Sequence, residues 1–207
     1  MKLIDYLMEE HRIIEKTLNM FEAEIERINE ENHIDPISMY ISIDFIRTYV
    51  DQAHHGKEED ILFRDLSKKA LLPEHVKIMN ELTEEHKHAR SIISDWIGAN
   101  NRYLDGDGTT QEIISHLKEV TQFYLRHIKK DEHLYYAVAD YFGAEEHDKM
   151  IREFAEHDKN ILHWKYQKLE TVLKTRFLFP VKEVIFYENN KDSVFPKFSD
   201  GISISKF

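Results

Sequence analysis

From Ile4 the apolar positions of this chain advance in alternating steps of three and four residues, through Leu7, Ile14, Leu18, Phe21, Ile25 and Ile28. The one step missing from that series falls on His11. Such spacing is the seam of a helix packed lengthwise against others. It commits the segment to a helical bundle and puts an imidazole in the bundle's core. The pattern returns at Met79, Leu82, His86, Ala89, Ile93 and Trp96, and again at Ile113, Leu117, Val120, Tyr124, His127, Asp131, Leu134 and Val138. In both, a histidine again holds a core position. A further segment is apolar on a broader face, through Ile37, Ile41, Ile43, Phe45, Val50, Ile61 and Leu62, and encloses the run His54-His-Gly-Lys-Glu-Glu-Asp-Ile-Leu-Phe63.

Breaks between these segments are few, with six Gly and four Pro in 207 residues. The first stripe ends near Asn32, and Asp35-Pro36 supplies a capping side chain followed by proline at the first helical position. The second helix is expected to run from there to about Leu66, and the third from Pro73 to about Asn101. Leu104-Asp-Gly-Asp-Gly-Thr-Thr reads as a loop, with Thr109 or Thr110 capping the fourth helix and Gly143 closing it. A fifth pattern spans about Glu145 to Lys174. Beyond Arg176 the chain turns aromatic and β-branched, which reads as an extended tail packed on the bundle or joining two copies of the chain. The fold class predicted is all-α, an up-down-up-down four-helix bundle with an additional C-terminal helix and a short extended tail. Residues 1–175 form the bundle domain and 176–207 the extension.

A formal net charge of -11 argues against nucleic acid or an anionic membrane as partner. The absence of cysteine removes disulfides, thiolate metal sites and cysteine nucleophiles, so any metal must be held by nitrogen and oxygen. The N-terminus lacks the apolar run of a signal peptide, and no stretch of eighteen apolar residues occurs. A soluble cytoplasmic protein is expected.

Residues four apart share a helix face, so His54 stacks with Glu58, His55 with Glu59, and His127 with Asp131. Periodicity does not choose between the first two pairs. From the turn near residue 33, His11 lies about 22 residues back and His54 and Glu58 about 20 forward; the turns near residues 70 and 106 give similarly matched depths, within one turn of helix. Four histidines and two carboxylates can thus share one layer. Left without partners, that many buried ionisable groups would cost more than the roughly 5–15 kcal/mol by which a domain is stable. A bound cation removes the cost, and imidazoles with bridging carboxylates and no sulfur favour iron, then manganese or zinc.

These residues resemble the hemerythrin-like, HHE cation-binding family, over about Leu3 to Tyr141. The resemblance rests on Glu10-His11, on His54-His-Gly-Lys-Glu58-Glu-Asp-Ile-Leu-Phe, on Glu85-His86 and on His127-Ile-Lys-Lys-Asp131-Glu. It implies a non-haem di-iron centre with His11, His54, Glu58, His86, His127 and Asp131 as ligands, Glu58 and Asp131 bridging, and His55 and Glu59 in support. Three departures stand out. Arg90 occupies the place where oxygen carriers of the family put a second histidine on the third helix. A spacing of five from His127 would select Glu132, whereas the apolar stripe agrees with Asp131. The chain also runs about sixty residues past the bundle, where His157 and His163 lie at a suitable depth to replace the missing ligand or to stand in support. The implied function is binding or reaction of a small ligand such as dioxygen, nitric oxide or peroxide, or sensing of iron or oxygen. The alternative is a metal-ordered regulatory or protein-interaction module without redox chemistry. His33, His75, His88, His116, His133 and His147 read as surface residues, and Tyr124, one turn before His127, as core or a partner of the ligands.

Overall fold

The computed structural model describes residues 3–178, with side chains through Val172. It is helical throughout, with no strand among the described residues. We label the helices α1 (Leu3–Glu31), α2 (residues 36–66), α3 (Pro73–Leu104), α4 (Thr110–Val138) and α5 (Ala144–Leu178). The expectation of an extended tail falls almost wholly outside the described residues, although α5 continues to Leu178, past the end expected for it.

The helix ends follow from local chemistry. α1 stops where Asn32 turns left-handed (φ 48°) and its N–H donates to Ile28 O at 2.9 Å. The Asp35 carboxylate accepts from the N–H groups of Ile37 (3.1 Å) and Ser38 (3.2 Å), with Pro36 at the first helical position. Thr109 Oγ1 accepts from Glu112 N at 3.2 Å and opens α4. Gly143 departs from expectation: α4 ends at Val138, a 3₁₀ turn over Ala139–Tyr141 follows, and Gly143 belongs to the head of α5, its N–H donating to Glu146 Oε2 at 3.0 Å.

α2 is not uniform. Pro36–Asp44 is α-helical, whereas Phe45–His55 and Glu58–Phe63 are wound as π-helix. A π turn closes its hydrogen bonds one residue further on than an α turn, so the face presented to the core widens. Two adjacent side chains, His54 and His55, are buried as a result, at 1% and 0% exposure. The broad apolar face does not all point inward: Met39, Ile43, Ile46 and Val50, in steps of four and three, are buried, but Ile37 and Ile41, on the opposite side of the α-helical part, are exposed.

α3 lies along α4 and α1 along α4, while α5 packs on α1 and on the π-wound part of α2. The apolar core falls into two clusters. One contains Ile14 and Leu18 of α1, Ile46 and Val50 of α2, Ile93 and Trp96 of α3, and Leu117 and Val120 of α4. The other contains Leu3 and Leu7, Ile61 and Leu62, Leu82, Leu134 and Val138, with Met150 and Phe154 of α5. Between them, at mid-length on each of the first four helices, lie the buried histidines and carboxylates.

α5 approaches α2 closely at Gly56, where an added Cβ would lie 2.6 Å from Nε2 of His157. That ring nitrogen donates to Gln52 O at 2.8 Å, serving a carbonyl within the π-wound segment. Gly56→Ala is therefore expected to displace His157 and cost about 1–3 kcal/mol in chemical denaturation. Gly98→Ala in α3, where the new Cβ would meet only the flexible end of Arg102 at 3.4 Å, should be neutral or stabilising by up to about 1 kcal/mol. Equal effects at the two positions would contradict this account of the α2–α5 contact.

Candidate metal centre

Seven buried side chains meet in the layer between the two apolar clusters. His55, Glu58, His86 and His127 offer ligand atoms all within 4.8 Å of one another, and His11, His54 and Asp131 form a second such group. None of the seven is more than 2% exposed. Each reaches the layer from a long helix. His11 comes from α1, His54, His55 and Glu58 from the π-wound part of α2, His86 from α3, and His127 and Asp131 from α4.

The two groups interlock. His11 Nε2 and His54 Nε2 face each other at 3.0 Å. Two nitrogens about 2.1 Å from one cation and at right angles would stand about 3.0 Å apart, so the separation suits a shared metal. Glu58 Oε2 lies 3.3 Å from His86 Nε2 and 3.8 Å from His54 Nε2. Asp131 Oδ2 lies 3.2 Å from His127 Nε2 and 3.8 Å from His11 Nε2. Each carboxylate thus reaches imidazoles of both groups.

A ring of carboxylates surrounds the layer, hydrogen-bonded to the far side of three imidazoles and close to that of the other two. His54 Nδ1 bonds Glu10 Oε2 at 2.9 Å, His86 Nδ1 bonds Glu59 Oε1 at 2.7 Å, and His127 Nδ1 bonds Glu85 Oε2 at 2.8 Å. His11 Nδ1 approaches Glu132 and His55 Nδ1 approaches Asp51, both at 3.5 Å. A carboxylate at Nδ1 keeps the proton there and turns the Nε2 lone pair toward the centre. Every one of these carboxylates in turn touches a cation: Glu10 meets Lys57, Glu59 and Asp51 meet Arg90 at 2.8 Å, Glu85 meets Lys130, and Glu132 meets Arg12 at 2.5 Å.

The layer's inward atoms lack partners. Nε2 of His55, His86 and His127, Oε2 of Glu58 and both oxygens of Asp131 are buried with no hydrogen bond among protein atoms. Orphaned buried polar atoms are rare and costly, and six of them converging on one layer, all nitrogen or oxygen, fit a cation. The protonation pattern agrees. Burial, with repulsion from neighbouring imidazoles, lowers His55 well below its usual range and His11 to about 2, and burial lowers His127 as well. These rings stay neutral, the form that binds metal. Burial would lower His86 too, but Glu58 and Glu59 raise it to about 9. Burial also works to raise Glu58, yet the imidazoles of His54 and His86 hold it low; Asp131, buried beside that charge, is pushed well above the carboxylate range.

All six residues marked from the sequence lie in this layer. Asp131 faces inward, whereas Glu132 turns outward to Arg12 and His11. His55, expected only in support of the ligands, joins the layer itself. It stacks on His86 (centroids 4.0 Å apart) and fills the group that Arg90, engaged outside with Asp51 and Glu59, does not enter. His157 and His163 belong to neither group; His163 bonds Gln167. His75, read as a surface residue, is buried against Tyr141. Tyr135 was also missed: its hydroxyl donates to Glu58 and its ring stacks on His11. Tyr124, fully buried, stacks on His55. The outer carboxylates did have a signal, because four are sequence neighbours of layer residues, in Glu10-His11, Glu58-Glu59, Glu85-His86 and Asp131-Glu132.

Among known proteins, the family model for the hemerythrin HHE cation binding domain matches residues 2–139. No curated protein and no solved structure matches the chain.

Metal-free protein should be acid-sensitive. Below about pH 6.5 an unfolded chain protonates two histidines that the folded layer keeps neutral, His11 and His55, with burial shifting His127 in the same direction, while Asp131 holds one proton only in the folded state. His86 is protonated in both states in that window. Folding stability therefore falls from pH 6.5 toward 5, by at least about 1 kcal/mol per unit for a net one proton. Urea denaturation of metal-stripped protein across that range checks it, and a flat profile would contradict the neutral layer.

Proposed function

The chain belongs to the hemerythrin HHE cation-binding family, and from that premise we propose that it holds a non-haem di-iron centre that binds or reacts with a small ligand. The single observation that carries the reading is the set of inward-facing imidazoles backed by outward carboxylates, hydrogen-bonded at His54, His86 and His127 and 3.5 Å away at His11 and His55, with a cation behind each carboxylate. An array of five oriented imidazoles has no use in an apolar core except to present lone pairs. Glu58 and Asp131, each within reach of imidazoles from both groups, are suited to bridge two metals. His55, His86 and His127 would hold one iron and His11 and His54 the other. Nitrogen and oxygen donors without sulfur favour iron over the soft metals.

The four helices that supply these residues are read as an up-down-up-down bundle with α5 added at its side. Support comes from the order of the two apolar clusters along the chain: the cluster around Trp96 follows the layer on α1 and α3 and precedes it on α2 and α4. No described helix is long and apolar enough to cross a membrane.

Iron held in this way supplies reversible binding of a diatomic molecule or peroxide together with a change between ferrous and ferric states. The chain's own residues set the terms of that chemistry. The group with two imidazoles is one donor short of the group with three, and is where a small ligand would complete the coordination. Tyr135, donating to Glu58 and stacked on His11, stands beside that position and can hold or give a proton. Burial pushes its hydroxyl well above the usual tyrosine range, with the Glu58 charge adding to the effect, so it stays protonated. With all seven side chains buried, only a ligand of a few atoms has access.

Elemental analysis of purified protein is expected to give about two iron per chain, and anaerobic ferrous iron should stabilise the metal-free form by about 4 kcal/mol at a thousandfold excess over the dissociation constant. His55→Leu should lose one metal of the two. Absence of bound transition metal together with no gain in unfolding temperature on adding ferrous iron would sink the proposal. Anomalous scattering at the iron edge would give identity, count and ligands together.

A further inference from the structure

Lys57 lies inside the ligand-bearing run of α2, yet its side chain is only 2% exposed. A buried ammonium is stable only when paired. Its partners are Glu10 of α1, a close ion pair, and Asp158 of α5, whose carboxylate oxygens lie at 2.8 and 3.0 Å; the ring of Phe154, also on α5, lies 5.9 Å away. The other oxygen of Glu10 accepts from His54 Nδ1 at 2.9 Å. An unbroken chain of polar contacts therefore runs from Asp158 through Lys57 and Glu10 to His54.

This chain has no counterpart around the rest of the layer. The cations behind Glu59, Glu85 and Glu132 are Arg90, Lys130 and Arg12, whose side chains are 41%, 33% and 49% exposed, and none is held by α5. α5 also starts after the last residue matched by the family model. Beside the layer its attachment is double, because His157, next to Asp158, bonds Gln52 O across Gly56, and elsewhere along α5 Glu153 pairs with Arg64 and Lys165 with Asp44. Two consecutive residues of α5 thus dock on the segment that carries His54, and the polar chain that starts from Asp158 ends on one half of the layer.

We propose that Lys57 and Asp158 are positioning residues through which the fifth helix sets the metal affinity of the His11, His54 and Asp131 half of the centre. The inference rests on the di-metal reading above and adds to it an asymmetric control. Lys57 neutralises Glu10 and pins it, Glu10 fixes the tautomer and the angle of His54, and Asp158 keeps Lys57 in place. Whatever moves α5 away from α2 releases Glu10 toward solvent and loosens His54, while His86 and His127 keep their own carboxylates.

The test is titration of metal-stripped full-length protein with cobalt(II), followed by its visible absorption and by calorimetry. Unaltered protein should take up two ions. Lys57→Met should weaken one of the two steps by about 10–100-fold, the usual cost of losing an outer partner of a ligating histidine, and change the cobalt bands of that step alone. Asp158→Asn should weaken the same step by a smaller factor, and Asp158→Glu should restore it. Lys130→Met, which removes the cation behind Glu85 and His127, should weaken the other step. Should Lys57→Met fail to fold, Asp158→Asn, altered at a half-exposed side chain, decides the matter. Asp158→Asn titrating like the unaltered protein, in both affinity and absorption, would overturn the proposal and leave the di-metal reading standing. Unaltered protein that takes up no cobalt or iron would overturn both.

Discussion

A cluster of ionisable groups inside an apolar bundle has to be neutralised from somewhere, and most of what distinguishes this chain follows from how that is done. Five imidazoles and two carboxylates share a layer with no water-exposed face. The solution is concentric: oriented rings inside, carboxylates behind them, lysines and arginines behind those. The carboxylates hydrogen-bond three of the five rings, and the innermost atoms are left for a cation. Helix register is the variable that makes this possible, since a shift of one residue on any helix would exchange an inward ligand for an outward carboxylate.

That exchange explains why much of the centre was legible in the sequence. His11, His86, His127 and Asp131 sit on regular α-helix, where steps of three and four hold, so their apolar neighbours mark them as inward. A single step along an α-helix turns about 100°, enough to send Glu10, Glu85 or Glu132 to the histidine of a neighbouring helix. α2 resisted the same treatment. Its π winding comes from tertiary demands and leaves no local signature, so reasoning from α-helical stacking had to choose between His54 and His55 when the wider turn buries both. Lys57 was hidden for another reason: nothing about a lysine flanked by Gly and Glu suggests burial until a helix a hundred residues away supplies Asp158. The attachment of α5 is similarly faint in its apolar pattern, because Leu162, Leu169 and Val172 are exposed and the docking relies on Met150, Phe154 and several polar contacts, among them those of Glu146, Glu153, His157, Asp158 and Lys165.

The two halves of the layer are consequently unlike in composition and in support. One has three imidazoles, held by carboxylates whose cations face water. The other has two, with Tyr135 against His11 and a buried ion pair behind His54. On the di-iron reading, a centre so divided would separate the task of keeping metal, done by the richer donor set, from that of receiving a ligand at the poorer one, which is tied to the additional helix.

The winding of α2 also fixes its length. A π turn takes in more residues than an α turn. Deleting Gly56 or Lys57 would turn Glu58 by about 100° against His54 and His55, and one of the three would then leave the layer. The loop at residues 105–108, by contrast, joins helix ends far from the centre and can change length with the layer intact. In α2, spacing is therefore as much a part of the metal site as chemistry is, and an inserted or deleted residue there would act as a frameshift in three dimensions.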